Sequence, residues 1–403
     1  MSITIPTELL IDFDHHALET SHHREQVLDR VREHPLFYTE ANGGYWVATS
    51  HALVKQVLRN PDTYSSEKHA DGSGGVTIPT VVGPRLIPAE ADGLYHRELR
   101  RLLTPKFNKA TVDAMTPTVD AFIVSTIDRV IELGDFDVVH DIADVIPAGV
   151  MVRYLGFPDE TRKPFIASIQ AALSVIPKAS SGQMTPELEA GMAAFGSAVQ
   201  TIQELVAERR ANPTDDVVSY LCGQRLSDDE LLWLVFTLMV GGFENPAALI
   251  SNMLLRLAEA PALRAKLAAN PELIPAAVDE FLRMISAGVS LARNVRVDTE
   301  LGGQQLRAGE RILLWLPAAN HDRAVFEDAD TFKLDRGRCP HVAFGDGPHI
   351  CIGDKLARLQ FHVLLREVLS RMPEYTIDLS RAERFDDAAT MYGWRTMPAR
   401  TNA

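Results

Sequence analysis

The chain has 403 residues, 46% of them hydrophobic and 23% charged, and its 54 acidic against 40 basic side chains give a formal net charge of −14. That length admits two or three domains or one large core, and the acid excess argues against nucleic acid as the main partner, because phosphate binding needs a net basic face. Three cysteines, Cys222, Cys339 and Cys351, exclude a disulfide framework, fit a reducing compartment and form no zinc-spaced Cys/His cluster.

From the N-terminus, MSITIPTELLIDFDHHALET carries acids and histidines and lacks the basic start and apolar run of a signal peptide, so a cytoplasmic protein is expected. GGYWVATS (43–50) predicts a strand. HADGSGGVTIPTVVGP (69–84) is rich in Gly and Pro but continues into ordered-looking sequence, and reads as a functional loop. Apolar residues at three- and four-residue spacing predict helices over 109–133 and 185–211. The second opens with Thr185 as N-cap and Pro186 at the first helical position. Short strands broken by Gly-Gly and Ala-Gly turns follow in 293–317. With no internal repeat and no linker, one large domain over 1–403, mostly α with small β-sheets, is expected.

The most hydrophobic segment contains VGGFENPAALISN (240–252). Ser227 and Glu230 make a capping box ahead of it. The helix then predicted to about residue 257 would be about 45 Å long. Its apolar run, Leu231 to Phe243, ends at Glu244, short of the roughly 18 residues of a bilayer span, so it reads as a buried core helix. Glu244, Asn245 and Pro246 look misplaced there. Pro246 cannot donate to the Gly242 carbonyl and crowds that turn, at a cost of about 3 kcal/mol in an ordinary helix. Gly241 and Gly242 remove side chains at the same place, so something must approach the backbone. The plainer alternative is a proline kink with an acid on a solvated face.

In FGDGPHICIGDKLARLQFHVLLREVL (344–369) a constrained turn precedes a helix that begins just beyond Cys351. A sulfur at the positive end of a helix dipole is favoured as thiolate, and can serve as nucleophile or axial metal ligand. A lone cysteine is otherwise a small core residue. Here the whole string counts: F-G-x-G-x-H-x-C-x-G is matched by Phe344, Gly345, Gly347, His349, Cys351 and Gly353. It resembles the haem-binding loop of the cytochrome P450 family.

That resemblance implies a single haem domain of cytochrome P450 fold, with haem b between a long distal helix and the helix after the cysteine loop. It makes Cys351 the axial iron ligand, whose thiolate would push electron density in favour of O–O cleavage. DEFLR (279–283) matches the family's Glu-x-x-Arg, with Glu280 and Arg283 three apart on one helix face, and Arg336 takes the place of the third, later arginine. HRELRRLL (96–103) supplies His96 and Arg100 as propionate ligands, joined by Arg293 and His349; two buried carboxylates need charge-assisted donors from several directions. GGFEN matches the distal A/G-G-x-D/E-T pattern, so Glu244 and Asn245 would deliver protons, with a carbonyl near Gly242 freed by Pro246 to hold water.

Two departures stand out. Asn245 replaces the usual threonine; its amide also donates and accepts, though from separate atoms. No proline follows Arg283, where MISAGVSLA (284–292) replaces the common pattern, so the loop over the haem edge is expected to take an unusual path.

The implied activity is that of a soluble bacterial haem-thiolate monooxygenase, inserting one oxygen atom of O2 into a small or medium hydrophobic substrate. With no flavin or iron–sulfur cysteine cluster in the chain, electrons would come from a separate ferredoxin and its NAD(P)H-dependent reductase. Arg97, Arg101, Lys355 and Arg358 offer a basic patch for an acidic ferredoxin, against the alternative of scattered surface charge. The same fold performing oxidative coupling, O-demethylation or peroxide-driven oxidation is the second reading, given Asn245. A haem-based gas sensor would need an output module for which no residues remain. The pocket is expected from the 69–90 loop, part of 166–184, Phe243, Ala247, 286–292 and 390–397. The VGGxE run resembles the camphor-hydroxylating branch, which implies a terpenoid-like or small aromatic compound. No membrane, no nucleic acid and a monomer complete the expectation.

Overall fold

The computed structural model describes residues 5–81, 83–174, 185–389 and 391–401. Helices dominate: α1 (His51–Leu58), α2 (Gly93–Phe107), α3 (Thr116–Leu133), α4 (Val145–Leu155), α5 (Pro186–Ala211), α6 (Asp228–Glu259), α7 (Ile274–Ile285) and α8 (Asp354–Arg371) frame the site. The caps form as their sequences imply. Thr185 Oγ1 accepts from the Leu188 N–H at 3.2 Å. Ser227 Oγ accepts from the Glu230 N–H at 3.2 Å, and the Glu230 carboxylate accepts from the Ser227 N–H at 2.8 Å. The helix expected over 109–133 is instead two, Lys109–Ala114 and α3, because Pro117 has no N–H for the turn before it and starts a helix anew.

Strands β1 (Leu36–Thr39), β2 (Tyr45–Ala48), β3 (Tyr64–Ser65), β4 (Ser290–Val295) and β5 (Arg311–Trp315) form one sheet in the order β1-β2-β5-β4-β3. β2 runs parallel to β5, with Trp46 opposite Ile312, and β4 runs antiparallel to β5, with Arg293 opposite Ile312. The Gly-Gly turn at 302–303 joins the short hairpin Thr299–Leu301 and Gln304–Leu306. Both glycines there have positive φ, the conformation that only glycine adopts without strain.

α6 is 32 residues long, about 48 Å at 1.5 Å per residue, and crosses the largest hydrophobic cluster. Among the described residues it is the one helix long and apolar enough to span a bilayer, but 67% of its most apolar window is buried inside the protein. Gly242 explains how closely it packs: a Cβ there would lie 2.5 Å from Met151 Sδ on α4. The glycine therefore serves helix-to-helix approach. Gly241, beside it, faces open space.

The charges on α7 set the frame for the cysteine loop. Arg283, with no exposed surface, donates to both Glu280 oxygens at 2.7 and 2.8 Å, and to the carbonyls of Asn320 and Ala329 at 2.8 and 2.7 Å. Arg336 Nε donates to Glu280 Oε1 at 2.8 Å, completing the three-residue group expected from the sequence. Asn320 then holds the approach to the loop, accepting from the Val342 N–H at 2.7 Å and donating to Ser286 Oγ at 2.8 Å.

Candidate active site

The loop that presents Cys351 is fixed from outside. Asp346 pairs with Lys55 at 3.2 Å and Arg59 at 3.0 Å, at the end of α1, and accepts from the Gly347 N–H at 2.6 Å. Gly347 has φ +69° and a Cβ on it would lie 2.5 Å from the Leu58 carbonyl oxygen, so its place is glycine's on two counts. The Cys351 N–H donates to the Phe344 carbonyl at 2.8 Å, closing the turn, and the Arg358 guanidinium lies 5.2 Å from the Phe344 ring centroid.

Cys351 keeps accessible surface although protein atoms crowd closely around its sulfur. Burial pushes its thiol above the ordinary value; the Gly353 N–H, Arg100 and Lys355 oppose this and do not overcome it. Desolvation thus outweighs the Gly353 N–H and the neighbouring cations, so the start of α8 favours the thiolate without securing it by itself. A cation bound to the sulfur supplies what the dipole does not, because metal ligation requires the deprotonated form.

Above the loop, His96 on α2 stacks on His349 with ring centroids 4.0 Å apart. His349 Nε2–H donates to Asp92 Oδ1 at 3.0 Å, and Asp92 also accepts from Ser65 Oγ at 2.5 Å and the Ser66 N–H at 3.0 Å. Arg293 on β4 is 3% exposed, and among the described residues its guanidinium makes one hydrogen bond, to the Ala292 carbonyl at 2.8 Å. Burial pulls Arg293 down to about 10, against the pull of Asp92. His96 falls to about 4, chiefly through burial and then through repulsion by His349 and Arg100. Arg100 is lowered by burial too, with Cys351 and Asp354 opposing.

Of these four neighbouring basic side chains, His349 bonds Asp92, His96 and Arg293 lie within the field of that carboxylate, and Arg100 faces Cys351 and Asp354. An almost wholly buried guanidinium with one hydrogen bond is a costly arrangement unless anions complete it. The two propionates of haem are anions of the required kind, so the residues present fit that cofactor. Asp92 escaped the sequence reading. It stands as N-cap of α2, where a cap would be assumed, but its carboxylate makes no cap bond and turns to His349 and Ser65. An aspartate four residues before His96, the first basic residue of the group, was the signal available.

On the distal side Glu244 is half-buried by surface, yet so enclosed that burial alone raises its carboxyl to about 7. Among the described residues it has no hydrogen bond or ion pair. The helix continues through Pro246, which leaves the Gly242 carbonyl without its usual donor. Asn245 is exposed, and among the described residues its amide is likewise unbonded. After α7 the chain turns through Ser286, a left-handed residue at φ 43°, and Gly288 bridges to Met391. Of the expected pocket lining, 175–184, Val82 and Thr390 lie outside the described residues.

The basic patch is reduced. Arg358 pairs with Asp279, which His341 also approaches at 3.4 Å, so it is not a free surface charge. Lys355 sits 3.0 Å from Asp354, while Arg97 and Arg101 are exposed.

The cytochrome P450 family description matches residues 172–386. A steroid C26-monooxygenase of Mycolicibacterium smegmatis is 32% identical over 82% of this chain and 81% of its own. A nocardicin C N-oxygenase of Nocardia uniformis is 34% identical over 81% and 82%. Among solved structures, CYP109E1 from Bacillus megaterium in complex with testosterone superposes with a TM-score of 0.84 at 25% identity, covering 96% of this chain and all of the other. Fold and comparisons together define a haem-dependent monooxygenase, an oxidoreductase. The chain belongs to the cytochrome P450 family, and its cofactor is haem b.

Proposed function

We propose that the chain is a haem-thiolate monooxygenase acting on a small or medium hydrophobic substrate, with electrons from a separate ferredoxin and NAD(P)H-dependent reductase, as a cytoplasmic monomer with one haem domain over 1–403. The observation that carries this reading is the gathering of His96, His349 and Arg293 around Asp92, with Arg100 acting on both histidines and on Cys351. Cys351 would hold the iron through Sγ, with Phe344 closing the loop behind it. Arg293 and Arg100 would take the propionates, with His96; His349, engaged by Asp92, would act through Nδ1 or by releasing Asp92.

Haem, when bound, supplies the activation of dioxygen. The chain's own part is position, dryness and protons. A carboxyl near 7 both takes up and releases a proton at neutral pH, which suits Glu244 for transfer from solvent. The Gly242 carbonyl can accept from a water, and the Asn245 amide can donate to one and accept from another. A hydrophobic substrate agrees with the steroid-oxidising relative and the testosterone-bound structure. A terpenoid-like or small aromatic compound remains the preference that the VGGxE run supports.

Replacing Cys351 by Ser tests the assignment: the long-wavelength Soret band of the reduced carbon monoxide complex should disappear. A variant that kept the band would mean another residue holds the iron. Asn245, unbonded where the family has threonine, favours one second reading, an atypical oxidation such as oxidative coupling, O-demethylation or peroxide-driven turnover. Product mass separates hydroxylation, a gain of one oxygen, from O-demethylation, a loss of a methylene equivalent, and coupling, a loss of two hydrogens; peroxide-driven turnover shows as product formed without NAD(P)H.

A further inference from the structure

The 67–90 segment contains a charged side chain whose partners are all backbone. Lys68 is 7% exposed, and its ammonium donates to the carbonyls of Val81, Gly83 and Pro84 at 2.6, 2.8 and 3.3 Å. No carboxylate bonds it. Two further charges also bond the backbone of this segment nearby. Arg311 on β5 donates to the carbonyls of Gly75 and Thr77 at 3.0 and 2.8 Å and to Thr80 Oγ1 at 2.9 Å. Glu90, 3% exposed, accepts from the Leu86 N–H at 2.9 Å and the Val76 N–H at 3.5 Å.

Carbonyl oxygens aimed at one point repel each other and need donors there. An ammonium has three donors and no acceptor, so one lysine answers three carbonyls at once. Burial pulls the Lys68 ammonium below its ordinary value, and Glu90 opposes that pull. Without the cation, the carbonyls of residues 81, 83 and 84 would turn outward to water. The loop they belong to is packed inward: Ile78 joins the cluster of Val289, Ala292 and Tyr392, and Leu86 and Ile87 join that of Phe243 and Ala247.

We propose that Lys68 is a positioning residue for substrate binding, an internal cation around which residues 75–81 and 83–84 fold into a wall of the distal pocket. That this loop walls the pocket rests on the reading given above; that Lys68 orders the loop does not.

The test uses the haem-loaded enzyme and its Lys68→Met and Lys68→Gln variants. Amide hydrogen exchange reads the order of 74–86, and spectral titration with 4-phenylimidazole reads the distal pocket. A charged hydrogen-bond set contributes enough that exchange in 74–86 should quicken about tenfold or more in Lys68→Met, with α3 and α8 unchanged. The azole should bind several-fold more weakly, and Lys68→Gln, which keeps N–H donors, should fall between. If Lys68→Met takes up no haem, Lys68→Gln carries the same comparison. Unchanged exchange in 74–86 overturns the role of Lys68. Faster exchange with unchanged azole affinity instead overturns the placement of the loop at the pocket.

Discussion

Asn245 and Gly288 meet. The Asn245 Oδ1 lies 3.4 Å from where a Cβ on Gly288 would stand, with Cγ at 3.7 Å. The two departures of this chain from its family's pattern, an asparagine on the long helix and a loop without proline after α7, are therefore one local arrangement. The amide fills space that a side chain at 288 would claim. Gly288 has no positive φ, so alanine suits its backbone, and at 3.4 Å one methyl only touches the amide. Gly288→Ala should leave product formed per NAD(P)H consumed within about twofold, while Gly288→Val, whose extra methyls collide, should lower it several-fold. Asn245→Ala should lower the same ratio and Asn245→Thr should keep most of it. Unchanged coupling in Asn245→Ala would remove the amide from the mechanism.

Glu244 should impose a pH dependence on stability as well as on turnover. Its folded value, about 7, lies above the 4.5 of an ordinary glutamate. A group raised in this way contributes stability that is full below about 4.5 and is lost as pH rises through about 7, because the charged form is costly where it is buried. The loss amounts to at most about 3 kcal/mol at 1.36 kcal/mol per unit. The Tm of wild type should decline across that window more steeply than that of Glu244→Gln. Equal slopes would place the carboxyl in water. Turnover of Glu244→Gln should fall roughly a hundredfold with the carbon monoxide spectrum intact.

Breaking the pair on α7 should be expensive. Arg283 and Glu280 are both buried, and Arg283 also holds two carbonyls far along the chain. Removing one partner strands the other charge, at about 3–5 kcal/mol. Arg283→Ala should accumulate poorly and carry little haem, whereas Arg336→Lys, at the rim of the group, should lose less. A normal haem content in Arg283→Ala would show that the loop does not depend on this frame.

Charge reversal separates the basic residues around α2 and α8. Arg97→Glu and Arg101→Glu should slow reduction by an acidic ferredoxin, most at low ionic strength, and leave Tm within about 1 kcal/mol of stability. Arg358→Glu should instead cost stability, since it opposes Asp279 directly. A ferredoxin rate indifferent to salt in wild type would dismiss the patch.

Much of this protein follows from near neighbours in the chain. The capping box at Ser227, the cap at Thr185, the missing N–H of Pro246 and the Glu-x-x-Arg pair are set by covalent structure or by residues within one helical turn. The backbone bonds that close the turn carrying Cys351 are likewise local, between residues 342 and 351, although Asn320, Lys55 and Arg59 hold that turn from outside. Tertiary structure alone decided the rest. Packing against Met151 gave Gly242 its reason, a turned-away carboxylate made Asp92 the partner of His349, and Asp279 paired the charge of Arg358. In each case the deciding atom comes from an element distant in the chain. Local pattern shows which groups a helix offers, while long-range packing determines what meets them and whether burial or a partner sets their charge.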